Sequence, residues 1–264
     1  MDITGRTRVW GIVADPIAHV KTPEGLNALM LDRGVDGVLV PFHVTPEDLA
    51  SFVAGVRAMR NFGGFIATVP HKTAMIELCD EVIGNAAQIG AVNAVRRDPD
   101  GRIVGTMLDG LGFVAGLRQA GTEPVGQAVY LAGAGGAANA IAFALAEVGV
   151  ARLTIANRTL GRAEDLKERL ARHHPNLPVA IGTADPSDHS LVVNATSLGL
   201  RESDPLPLDP SRLDTQATVA EIIMEPKLTR FLASARERGC PIHYGRPMLE
   251  CQLRLMADFM QMSL

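Results

Sequence analysis

Short apolar runs rich in β-branched residues alternate with helix-period segments from residue 8 almost to the C-terminal end. "RVWGIVA" (8–14), "DGVLVPFHV" (36–44) and "GGFIATV" (63–69) have strand character, as do the later runs "RLTIANRT", "SLVVNATSLGL" and "ATVAEIIM". Between them lie segments with helical spacing. Residues 23–34 begin with proline and end with glycine, 46–59 follow Thr45 as a predicted cap, and 73–90 read as one helix. "AVNAVRR" and "GRIVGTM" flank the turn "DPDG" and predict a hairpin. Such alternation restricts the chain to parallel sheets covered by helices, the α/β class. With 264 residues, 47% of them hydrophobic, there is material for one large domain or two smaller ones.

Composition excludes several functions. A formal net charge of −4 and the lack of a basic stripe argue against nucleic acid. Cys79, Cys240 and Cys251 are widely spaced and odd in number, which fits neither a disulfide framework nor a zinc site, so no metal is expected. No stretch approaches the roughly 18–20 apolar residues of a membrane span. The start "MDITGRTRVW" lacks the apolar core of a secretory leader, and a reducing cytoplasm is the expected location.

"VYLAGAGGAANA" is the strongest local signal. A strand runs into Gly133, Gly135, Gly136 and Ala137, and a helix follows, giving GxGxxA ending at Ala138. Glycines there permit a tight turn and the approach of a pyrophosphate to free helix N–H groups. The next strand ends in Asn157, Arg158 and Thr159, where an NAD site places a carboxylate. A guanidinium instead pairs with a 2′-phosphate, which favours NADP over NAD; the alternative, less favoured, is an exposed arginine at a helix start. Asn194, Thr196 and Ser197, at the end of a further strand, are placed to line the same cleft.

The strand at 63–69 delivers a lysine, Lys72, just past its end. Either that ammonium is solvated, or it faces a cleft as a proton carrier. Asp109 opens another helical segment, as an N-cap or as a site carboxylate.

These motifs, in this order and over nearly the whole chain, resemble the shikimate dehydrogenases and their quinate-using relatives. "ATVPHK" resembles the family's catalytic lysine segment, "GTMLDG" its catalytic aspartate, and "GAVNA" the asparagine that binds a substrate hydroxyl. "GRPMLECQ" places Gln252 at a substrate position, and "GAGGAA" with "NRT" matches the NADP loop. The resemblance implies catalytic Lys72 and Asp109, with Thr22, Thr68, Asn93 and Gln252 on the substrate. It also implies an N-terminal α/β substrate-binding domain (1–105, joined by helix 240–264) and a Rossmann NADP-binding domain (106–239) with a deep cleft between. The family works in aromatic amino acid biosynthesis on a small-molecule substrate; oligomeric state is left open. His19 and His71 read as structural or rim residues.

Departures from the family pattern cluster at polar positions. One of two loop hydroxyls is Val20, the asparagine before the lysine segment is Ile66, the pair before the aspartate is Met107 and Leu108, and the late tyrosine is Met224. Losing two hydrogen bonds to a carboxylate costs roughly 3–6 kcal/mol, or about 10²–10⁴-fold in transition-state binding. The sequence therefore predicts a proton-relay pair kept in a more apolar pocket. Two other readings compete. A methylenetetrahydrofolate dehydrogenase-like enzyme calls for a tyrosine at helical spacing before the lysine, where this chain has Thr68. An NADP-binding sensor without turnover has less need of Lys72 and Asp109.

Overall fold

A computed structural model describes residues 2–18 and 20–262. His19 lies outside the described residues. The chain forms two compact units, Met1–Leu108 with Leu253–Leu264, and Asp109–Gln252. The sequence reading puts the limits at 105/106 and 239/240 instead.

The first unit holds β1 (Arg8–Ala14), α1 (Thr22–Asp32), β2 (Gly37–His43), α2 (Leu49–Ala58) and β3 (Phe62–Ala67). Then come α3 (Met75–Leu78), β4 (Glu81–Val82), α4 (Ala86–Ile89), β5 (Ala94–Arg97) and β6 (Ile103–Thr106). Its sheet runs β2-β1-β3-β5-β6-β4. β1 is parallel to β2 and β3, but β5 is antiparallel to both β3 and β6, so this sheet is mixed rather than parallel. The hairpin is what introduces the reversal. Six consecutive buried residues in β3 explain its unbroken apolar run: neither face meets water. Trp10, Ile12, Leu26, Met30 and Leu39 form the core with Met256, Ala257 and Met260 from the chain's end, and the Trp10 indole donates to the Met260 carbonyl (3.2 Å).

Two local expectations fail here. α2 starts after Asp48 without a side-chain cap, and the Thr45 hydroxyl bonds the Asp48 carboxylate (3.3 Å) instead. Residues 73–90 are two four-residue helices with β4 between them. The backbone of this stretch is taken by the sheet: Asp80 N–H donates to Ile103 O (2.8 Å) and Ile83 N–H to Gly105 O (2.9 Å). The Asp80 carboxylate accepts from Ile103 N–H (2.7 Å) and from Arg57, which fixes the break.

The second unit contains α5 (Asp109–Gln119), β7 (Ala128–Ala132), α6 (Gly136–Glu147), β8 (Arg152–Ala156), α7 (Leu160–His173) and β9 (Val179–Ile181). β10 (Leu191–Asn194), β11 (Thr218–Glu221), α8 (Arg230–Glu237), β12 (Ile242–His243) and α9 (Arg246–Phe259) complete it, with the division between units falling inside α9. Its six strands are all parallel in the order β12-β11-β10-β7-β8-β9, a doubly wound Rossmann-type sheet. β9 and β12 are too short to show as apolar runs. The run at 217–224 gives a strand over Thr218–Glu221 alone, which leaves Met224 beyond its end.

α5 is placed by glycine. A side chain at Gly110 would run into the Ala140 carbonyl and come within 2.8 Å of the Ala144 Cβ on α6. One at Gly112 would come within 2.9 Å of the Gln252 Cβ on α9. Each glycine costs about 1 kcal/mol of helix propensity, and the close approach is what it permits.

Candidate active site

The order of the second sheet reverses between β7 and β10, and a cavity of about 590 Å³ opens beyond the carboxyl ends of β7, β8 and β10. Gly133 leaves β7 with φ of +117°, and a Cβ there would lie 2.9 Å from the Ala195 carbonyl oxygen, so only glycine fits. Gly135 caps α6 and Gly136 begins it, and a Cβ on either would stand in open space. That is a cradle for an anion at a helix N-terminus. Arg158 and Arg162 line the cavity, whereas no carboxylate does so among the described residues. The donor set thus fits a phosphorylated ribose better than a bare one. Arg162 escaped the sequence reading, although its place four residues after Arg158 at the start of α7 is the signal that would have found it.

Asn157 also lines the cavity, and its amide donates to Thr159 O (2.8 Å). Gly136 and Thr159 border an adjoining hollow, while Ala137 borders neither. Thr196 and Ser197 line the main cavity, but Asn194 does not. Its side chain is fully buried and works from behind. The amide donates to Glu221 Oε1 (2.6 Å) and Leu198 O (3.0 Å), and Oδ1 accepts from the Thr196 N–H (3.1 Å) and hydroxyl (2.6 Å). The Thr229 hydroxyl donates to Glu221 Oε2 (2.6 Å). Burial pushes the Glu221 carboxyl above its usual range, against the pull of the Thr229 and Asn194 bonds.

In the first unit, the turn after β3 is tied to the hairpin. Ala67 N–H donates to Asn93 O (3.0 Å), and Val92 N–H to the Lys72 carbonyl (2.9 Å). Lys72 and Asn93 therefore ride on one hydrogen-bonded frame. The Asn93 side chain is buried, and its Oδ1 accepts from Leu108 N–H (2.9 Å), directly before Asp109 in the chain. Lys72, Thr22 and Thr68 are half-buried. His71 is buried, with Nε2 on Val44 O (2.9 Å), and so belongs to the scaffold. Ile66 and Leu108 are part of the Trp10 core, and Val20 packs against it: three of the apolar departures share one hydrophobic cluster.

In the second unit, Asp109 is the first residue of α5 and is buried. It accepts a hydrogen bond from the Gln252 amide on α9, also buried. Asp109 is thus the partner of a specific side chain from a distant segment. Met224 is 43% exposed, unlike Ile66 and Leu108.

Comparison with known proteins yields one consistent set of relatives. Residues 12–95 match the family described as shikimate dehydrogenase substrate binding domain, and residues 118–185 match shikimate / quinate 5-dehydrogenase. The shikimate dehydrogenase (NADP(+)) of Geobacter metallireducens is 41% identical over 260 residues, covering 96% of this chain and 90% of its own. Among solved structures, the ligand-free 5-ketofructose reductase of a Gluconobacter species superposes with a TM-score of 0.91 at 32% identity, covering 97% of this chain and 93% of that one. The shikimate 5-dehydrogenase of Listeria monocytogenes, in complex with shikimate and NAD, has a TM-score of 0.91 at 29% identity, with coverage of 99% and 97%.

Proposed function

We infer that this chain, which belongs to the shikimate dehydrogenase family, is an NADP-dependent oxidoreductase that converts a secondary ring hydroxyl to a ketone, on shikimate or a close relative. The observation that carries this reading is 41% identity with an NADP(+) shikimate dehydrogenase across 96% of the chain. NADP, when bound by the glycine loop and the two arginines, would supply the hydride acceptor for the carbinol carbon. Lys72 receives the hydroxyl proton, Asp109 is the catalytic carboxylate, and Gln252 holds that carboxylate in place. Asn93, Thr22 and Thr68 hold the substrate. Gly133, Gly135 and Gly136 cradle the pyrophosphate, and Arg158 with Arg162 takes the 2′-phosphate.

Within that family, Val20, Ile66 and Leu108 stand where the family pattern has polar groups, which favours a substrate that differs near the carboxylate. The likeness to 5-ketofructose reductase, whose named substrate is uncharged, supports the same reading. Steady-state rates with NADP(H) on shikimate, quinate and 5-ketofructose test both levels. We expect turnover on at least one, with shikimate about 10²–10⁴-fold below an enzyme that keeps both carboxylate contacts. Full efficiency on shikimate refutes the altered pocket. NADP binding without turnover of any ring alcohol refutes the enzyme and leaves a sensor. Lys72→Ala is expected to lower kcat about 10²–10⁴-fold without weakening NADP binding.

A further inference from the structure

The glycine loop is held from behind by a pair that the family motifs do not account for. The Asn139 amide nitrogen, one turn into α6, donates to Ala134 O (3.3 Å) and Gly135 O (2.8 Å). A trans peptide is planar, with its C=O and N–H on opposite sides. The Gly135 carbonyl also takes the helical bond from the Asn139 N–H (2.8 Å), and the side chain adds the Ala134 carbonyl to the same side; the N–H groups of Gly135 and Gly136 therefore turn the other way, where they can meet an anion.

The arrangement works only if the amide presents its nitrogen to those carbonyls. Its oxygen must then find a donor, and Arg169 on α7 supplies one, Nη2 lying 2.5 Å from Asn139 Oδ1. Arg169 is itself aimed by Asp165, which accepts from its Nε at 2.9 Å. An amide rotated by half a turn would set its oxygen against two carbonyl oxygens and its nitrogen against a guanidinium, so the fork selects one orientation. Arg162, Asp165 and Arg169, at helical spacing on α7, all border the hollow beside the loop.

We propose that Asn139 and Arg169 are positioning residues for cofactor binding: the Arg169 guanidinium fixes the Asn139 amide, and that amide presets the loop N–H groups toward the pyrophosphate. The proposal rests on the cofactor reading above. Its alternative is that Arg169 acts only as a positive charge near the phosphates.

A double-mutant cycle on the full chain separates the two, with the NADP dissociation constant measured by calorimetry and KM and kcat measured alongside. Asn139→Leu and Arg169→Met should each weaken NADP binding about tenfold, and the double variant should be scarcely weaker than either single one, because one contact chain is broken in each case. The loss should fall on KM for NADP rather than on kcat. Arg169→Lys keeps the charge but has no fork with which to hold both Asp165 and Asn139, so it should remain several-fold weak. This variant also reads the geometry if the methionine variant melts early. Unchanged affinity in the single variants, losses that multiply to about a hundredfold in the double, or full affinity with lysine would each overturn the pairing. A wild-type chain that binds no NADP overturns the cofactor reading and this one together.

Discussion

Asp109 and Gln252 come from segments 143 positions apart and meet in one buried hydrogen bond. Asp109→Asn keeps the size of the side chain but removes its charge, and is expected to cut kcat about 10²–10³-fold while the NADP dissociation constant stays unchanged. A quite different carboxyl, Glu221, bears on pH. Its folded-state pKa lies above the usual value of 4.5, so the folded state holds its proton more tightly than the unfolded chain does. That contribution to stability is fully present below about pH 4.5 and is lost as pH rises through the higher folded value. Glu221→Gln cannot titrate. Its melting temperature should therefore gain on that of the wild type as pH rises from 4.5 toward neutrality, and two parallel melting curves over that range would contradict the assignment.

At the scale of elements, packing decides more than pattern. α5 approaches α6 so closely that Gly110→Ala sets a methyl against the rigid Ala140 carbonyl. Alanine gains about 1 kcal/mol of helix propensity, yet the clash with backbone cannot relax, and a net loss of about 1–3 kcal/mol in urea unfolding is expected. The same contrast explains what could be read from sequence. β1 was legible to the residue, because RVWGIVA is an apolar run bounded by polar residues. The glycine loop was legible because its chemistry is local. The break at Cys79–Asp80 was not, because the apolar spacing of 73–90 suits a helix and only pairing with β6 overrides it. Asn194 has the residue type of a cavity liner, but its neighbour Glu221 on β11, 27 positions away, claims its amide. Asn139 went unread for a similar reason, since Arg169 lies a full β–α unit further on.

For the molecule as a whole, binding to the folded form shifts stability by mass action. NADP at a hundred times its dissociation constant contributes about 2.7 kcal/mol, which for a chain of this size raises the melting temperature by about 5–10 °C. NAD at the same concentration should give a smaller shift, since Arg158 and Arg162 then face no phosphate; equal shifts in a thermal scan would refute the assigned preference. The division of the chain carries one more consequence. Asp109 and Gln252 are the first and last residues of the second unit, and they are joined to each other. Segment 109–252 is therefore a cassette whose first and last residues are tied together by their own side chains. A homologous segment grafted in its place keeps that tie only if it brings an acid and an amide at its own two ends.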